Sequence, residues 1–260
     1  ELHANATTIR ELLERYAVEY VPTKRPKTQE SYLAAIKKLT PIFGEMLITS
    51  LKTVHVFQYR DKRGREAPTA TNHEVGVLSH AYTKAIEWGL AEENPIKGKV
   101  GKIPTPPRDR YIEDWELAEA LKIANPFVEA YIHLKLLTGL RRGDLLSILH
   151  VDLKLDGIHV QPSKTQGTTG KKVIYEWNDE LRQAVEVIKA LSNKTESEWL
   201  FCTRNGKGYM NENGRSNSFD SLWQRFMAKA LKDTDLKERF TEHDLRAKVA
   251  SDNDTERAKL

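Results

Sequence analysis

The stretch Gly98-Lys99-Val100-Gly101-Lys102-Ile103-Pro104-Thr105-Pro106-Pro107 constrains the fold more than any other segment. Two glycines and three prolines in ten residues support neither a helical ladder nor an apolar stripe to bury. A chain of 260 residues that carries such a stretch before its midpoint is expected to fold as two units, each with its own core. The expected division is residues 1–97, a linker over 98–108, and residues 109–260. The linker lysines read equally as solvated charges or as contacts to a phosphate backbone.

The first part reads as helices throughout. Thr8 and Glu11 have capping-box spacing, and Ile9, Leu12, Leu13, Tyr16 and Tyr20 follow as a helical stripe that Pro22 and Pro26 should break. A second helix is expected from Thr28, with Tyr32, Leu33, Ile36 and Leu39, to Phe43-Gly44. A shorter one from Thr53 carries Val54, Phe57 and Tyr59. A fourth follows Pro68, with Val75, Leu78, Tyr82, Ala85 and Ile86, and stops at Gly89 before Asn94-Pro95.

The second part mixes helix with short strands, so the fold class expected is mainly α with a small β-sheet (α+β). Residues 114–121, 127–137 and 144–149 have helical patterns, with Gly139 as an interruption. Ile158-His159-Val160 and Val173-Ile174-Tyr175 are β-like runs around a turn-rich, basic-flanked segment, Ser163-Lys164-Thr165-Gln166-Gly167-Thr168-Thr169-Gly170. Asn178 is placed to cap a helix through Leu191, and Trp199-Leu200-Phe201 reads as a short buried strand. Phe219, Leu222, Trp223, Phe226 and Ala230 form another helical stripe, and a last helix starts near Thr241.

Three sets of residues could carry chemistry. In Thr138-Gly139-Leu140-Arg141-Arg142-Gly143-Asp144, a glycine breaks a helix, Arg141 follows, and Asp144 stands three residues on. A guanidinium at a helix start has unsatisfied backbone N–H groups beside it, which favours an anion there, and Asp144 is spaced to brace Arg141. A plain surface salt bridge would have the same spacing. His243 and Arg246 in Thr241-Glu242-His243-Asp244-Leu245-Arg246 share one helical face and can hold a phosphate oxygen and move a proton. A capping histidine with a solvated arginine fits as well. Lys164, in a turn between strands, can protonate a leaving oxygen if the hairpin leans over a phosphate, and is otherwise solvated.

As a set, these residues resemble the tyrosine recombinase (phage integrase) family. The order is the family's: a Thr-Gly-Leu-Arg-x-x-Asp turn, a hairpin with Ser-Lys-Thr, then His-x-x-Arg near the C-terminus. Ala67-Pro68-Thr69-Ala70-Thr71-Asn72, Glu87-Trp88-Gly89-Leu90 and Asn94-Pro95 are similar to the family's helical core-binding (SAM-like) domain. The resemblance implies a core-binding domain over 1–97, a tyrosine-recombinase catalytic domain over 109–260, and room for an arm-binding domain ahead of Glu1.

The resemblance also implies roles. Arg141, Lys164, His243 and Arg246 take the catalytic positions, with Asp144 supporting. The family cleaves and rejoins DNA through a 3′-phosphotyrosyl link, in DNA integration and recombination such as the integration of a viral genome. Its nucleophilic tyrosine stands roughly 30–40 residues beyond the second arginine. Here no tyrosine follows Arg246, so the resemblance implies a catalytic domain cut short of its nucleophile and inactive by itself. Double-stranded DNA is the implied partner, with a homo-tetramer on DNA for the complete protein, in the bacterial cytoplasm or nucleoid. A non-catalytic, integrase-like DNA-binding protein is the alternative.

Composition narrows the rest. No apolar run approaches the roughly 20 residues needed to cross a bilayer, so no membrane span is expected. Cys202 is the only cysteine, which excludes an internal disulfide and fits a reducing compartment. No His, Cys or carboxylate cluster has metal-ligand spacing, so neither a metal nor another cofactor is called for. Of 41 Lys and Arg and 37 Asp and Glu, 16 and 12 lie in residues 1–104, leaving 25 and 25 in the rest. The net charge of +4 thus resides in the N-terminal part. If that part contacts phosphates, log K for duplex DNA falls with log salt by about 0.9 per phosphate, and removing residues 1–97 lowers the slope by several units. A salt titration of both chains measures this, and an unchanged slope assigns the contacts to the second part.

Overall fold

The computed structural model describes residues 5–106, 109–163, 170–192 and 196–258, with side chains described to 253. The chain divides into two compact units, residues 1–108 and 109–260. Among the described residues no helix is long and apolar enough to cross a membrane.

The first unit is helical. Helix α1 (Ile9–Arg15) opens with the capping box read from the sequence: the Glu11 N–H donates to Thr8 Oγ1, and the Thr8 N–H donates to Glu11 Oε2 at 3.0 Å. The prolines do not end this segment as expected. It runs on through a π-helical turn (Tyr16–Tyr20) and a 3₁₀ turn (Val21–Thr23). Pro26 is the first residue of α2 (Pro26–Phe43), where its missing N–H costs nothing. Helices α3 (Thr53–Gly64) and α4 (Pro68–Glu87) complete the unit. Ile9, Leu12, Leu13, Tyr16, Leu39, Val56, Leu78 and Tyr82 are buried in its core.

Some residues of the expected stripes face outward. Helix α2 buries the narrow row Ala35, Leu39 and Phe43, so Leu33, two residues from Ala35 and on the other side of the helix, is exposed. Val54 and Ile86 are exposed as well, while Val56 takes the core position in α3. Asn94 fastens the exit from α4: its Nδ2 donates to the Ser79 carbonyl at 2.7 Å, and its Oδ1 accepts from the Ile96 and Lys97 N–H groups. Within the glycine- and proline-rich stretch, Ile103 exchanges two hydrogen bonds with the Asn72 side chain, at 2.8 and 2.9 Å.

The second unit contains α5 (Asp114–Leu121), α6 (Pro126–Thr138), α7 (Arg142–Leu146), strands β1 (Gly157–Val160) and β2 (Val173–Glu176), then α8 (Asp179–Ser192), α9 (Asn217–Asp233) and α10 (Glu242–Ala258). The strands form a two-stranded antiparallel sheet with Gly157 opposite Glu176 and Val160 opposite Val173. Helix α6 is buried over several faces and packs on both α8 and α10. Tyr131, Phe201, Phe219, Trp223 and Phe240 fill the space beside it.

Two local expectations shift. Helix α7 stops at Leu146 rather than running to Leu149, because the Ile148 carbonyl accepts from the Leu200 N–H and Leu149 bridges Trp199. The segment around Trp199 is therefore an isolated bridge and not a strand. Asn178 does cap α8, its Oδ1 accepting from the Leu181 N–H at 2.7 Å.

Gly139 turns the chain from α6 to α7. Its φ is +58°, and a Cβ there would stand 3.3 Å from Val249 Cγ1 on α10. Only glycine adopts this conformation freely, and only a hydrogen leaves room for Val249. Gly139→Ala is expected to lower the unfolding free energy by about 1–2 kcal/mol, measured by urea denaturation.

Candidate active site

The turn at Gly139 and the start of α10 bring the arginines of the two motifs to one place. Arg141 is the N-cap residue of α7, with extended backbone (φ −65°, ψ 149°), so its side chain leaves the helix rather than lying along it. Its guanidinium makes no ion pair or hydrogen bond with the described residues. Arg246, one turn into α10, donates from Nη1 to the carbonyl of Gly139, two residues before Arg141. His243, in the first turn of α10, is exposed. Lys164 lies outside the described residues.

Asp144 does not brace Arg141. It is buried, and no ion pair joins the two among the described residues. Its Oδ1 instead accepts from the Ser163 N–H at 2.8 Å, which fastens the entry of the segment between β1 and β2. The spacing of i and i+3 holds a pair only inside a helix, and Arg141 sits at the cap. The other carboxylate oxygen, Oδ2, is buried without a hydrogen-bond partner among the described residues.

The start of α10 is held firmly. The Thr241 N–H donates to Asp244 Oδ2 at 2.8 Å, so Asp244 serves the helix start. Glu242, the first helical residue, accepts from Lys135 Nζ at 2.8 Å and from the Tyr131 hydroxyl at 3.3 Å, both on α6. Arg142 Nε lies 3.7 Å from its other oxygen, and Arg142 also pairs with Asp220 on α9 at 2.5 Å. Burial pushes the Lys135 ammonium below the usual lysine range, and Glu242 acts against that shift.

Sequence reasoning missed Lys135, Glu242 and Tyr175. Lys135 is fully buried among α6 leucines, where a lysine would ordinarily be read as surface. Tyr175 on β2 is within electrostatic reach of the site. Burial raises its hydroxyl, the charge of Arg246 draws it down, and that of Asp144 raises it further. Tyr209 packs instead against Phe127 and Phe219, at 5.3 and 6.0 Å between ring centroids. Among the described residues no group of three or more His, Cys, Asp or Glu is arranged to hold a metal ion.

Comparison with known proteins agrees with this layout. The model of the phage integrase family matches residues 113–252, and that of the phage integrase N-terminal SAM-like domain matches residues 8–63. A putative integrase/recombinase of Haemophilus influenzae is 32% identical over 108 residues, 41% of this chain and 29% of that protein. The shufflon-specific DNA recombinase of Escherichia coli is 26% identical over 167 residues, 58% of this chain and 43% of that protein. The chain thus spans less than half the length of these two relatives. A lambda integrase tetramer bound to a Holliday junction superposes with a TM-score of 0.75 at 18% identity, covering 96% of this chain and 74% of that one. The Tn1549 transposon integrase in complex with circular intermediate DNA gives 0.76 at 16% identity, covering 96% and 88%. At these identities the structural likeness shows the fold. The family models, one of them matched over more than half of the chain, show the rest: the chain belongs to the phage integrase family.

Proposed function

We propose that this chain is the DNA-binding and phosphate-holding part of a tyrosine-type site-specific recombinase. Its partner is duplex DNA, and Arg141, His243 and Arg246 grip the scissile phosphate. The observation that carries the reading is the bond from Arg246 to the Gly139 carbonyl, which ties the second arginine to the turn that bears the first. Two guanidiniums fixed on one turn suit the extra negative charge of a phosphoryl-transfer transition state, as in an oxyanion site. Asp144 supports the site through Ser163, at the entry of the segment that contains Lys164. Lys164 is the proposed acid for the departing 5′ oxygen.

Residues 1–97 are proposed as the core-binding domain and 109–260 as the catalytic domain, joined through 98–108. Attack by a tyrosine on the phosphodiester conserves the bond energy in a 3′-phosphotyrosyl link and frees a 5′-hydroxyl, so no nucleotide triphosphate is consumed. Exchange between two duplexes needs four protomers, and the lambda integrase tetramer on a Holliday junction supports that assembly for the complete protein. The bacterial cytoplasm or nucleoid is the compartment where such a substrate lies. The alternative, an integrase-like protein that binds DNA without cleaving it, shares every feature except the nucleophile.

Arg141→Lys and Arg246→Lys test the grip. An ammonium cannot hold two oxygens as a forked guanidinium does. Each variant is expected to bind inorganic phosphate about tenfold more weakly, roughly 1.4 kcal/mol, while its affinity for duplex DNA stays within a few-fold. NMR titration of the arginine Nε–H signals and fluorescence anisotropy read the two quantities. A lysine variant with unchanged phosphate affinity removes that arginine from the site.

No tyrosine follows Arg246 in these 260 residues. The chain is therefore expected to bind a nicked suicide duplex without forming a covalent adduct. A slow-migrating protein–DNA band on a denaturing gel would contradict this and would give the nucleophile's role to an upstream tyrosine, Tyr175 first, since it is the one near Arg246.

A further inference from the structure

Lys135 is an unusual residue for its place. It lies in the middle of α6 with no exposed surface, although an ammonium is costly to bury and a leucine or methionine would fill the same space. Buried ion pairs seldom stabilise a fold more than apolar residues of equal volume do. What they add is direction: two charges bound at hydrogen-bond distance fix one orientation, where apolar surfaces slide. The partner of Lys135 is the residue immediately before His243, and Arg246 follows one turn later.

We propose that the Lys135–Glu242 pair is a positioning device that sets the start of α10, and so His243 and Arg246, against the turn that carries Arg141. This inference rests on reading those three residues as the phosphate site. The geometry supports it from both ends. Lys135 is four residues before Gly139, and its carbonyl accepts the Gly139 N–H at 2.8 Å, so the lysine stands one helical turn below the glycine. Glu242 opens α10 and takes donors from Lys135 and Tyr131, with Arg142 3.7 Å from its second oxygen. One carboxylate therefore gathers groups from α6 and α7 and hands their register to α10. Arg246 returns to the Gly139 carbonyl and closes the loop. Glu242 also neutralises a cluster of like charges, since Lys135 lies in the fields of both Arg142 and Arg246.

The test uses the whole chain with inorganic phosphate, read from the Arg141 and Arg246 Nε–H signals, beside thermal melting. Lys135→Met alone leaves a half-buried carboxylate short of its main donor, so its melting temperature falls. The double variant Lys135→Met with Glu242→Gln removes both charges and is expected to melt near the wild type. Its phosphate affinity stays about tenfold down, with duplex affinity within twofold. Glu242→Asp keeps both charges, shortens one arm by a methylene, and is expected to lose phosphate affinity severalfold without loss of fold. Wild-type phosphate affinity in either the double variant or Glu242→Asp overturns the positioning role and leaves the pair purely structural. A wild-type chain whose Arg246→Lys variant binds phosphate equally well overturns the site reading itself, and the positioning role with it.

Discussion

The hydrogen bond from Arg246 to the carbonyl of Gly139 is the contact on which the catalytic unit's arrangement depends. It exists because Gly139 adopts a left-handed conformation at the end of α6, which turns its carbonyl toward α10 and leaves space for Val249. One residue thus ends a helix, admits a neighbouring helix at close range and supplies an acceptor to a charged side chain. A guanidinium has five donors, so one bond to a carbonyl leaves the others for a ligand while restricting where they point. That restriction is the physical content of preorganisation: the donors are oriented before the anion arrives.

The remaining polar groups around the turn form a second tier. Asp144 holds the Ser163 backbone, Thr241 and Asp244 form the start of α10, and the Lys135–Glu242 pair ties that start to α6. None of these groups depends on solvent, because each is at least partly buried. In low dielectric such bonds are strong when complete and expensive when broken, so the cluster tolerates few intermediate arrangements.

Much of this was legible in the sequence, for identifiable reasons. Thr8, Asn94, Gly139 and Asn178 act through the backbone conformation or the cap that their residue type favours, so the local sequence reveals them. The Gly-x-Arg and His-x-x-Arg groups stood at helix ends whose positions those signals fixed. What stayed hidden depends on contacts distant in sequence. Lys135 and Glu242 are 107 residues apart, and nothing in either neighbourhood announces the pairing. Asp144 looked like the partner of Arg141 because the two are three apart, yet the cap conformation separates them and Ser163, 19 residues on, takes the carboxylate. Leu33 and Ile36 were read as one stripe, but which row of α2 faces inward is decided by α1 and α4, not by α2.

The π-helical turn at Tyr16–Tyr20 has a consequence of another kind. It stacks Tyr16 on Tyr20 at 5.0 Å and brings the Tyr16 hydroxyl to His80 Nδ1 at 2.9 Å, in a cluster that also includes Tyr32. Such a turn holds one residue more than the α-helical ladder around it, which displaces everything after it by about 100° around the axis. The chain therefore carries a built-in phase shift between α1 and Pro22. Deleting a single residue there would leave both flanking ladders intact and rotate the approach to α2, whereas substituting one would change the packing but not the phase. In this segment length, more than chemical identity, is the heritable parameter.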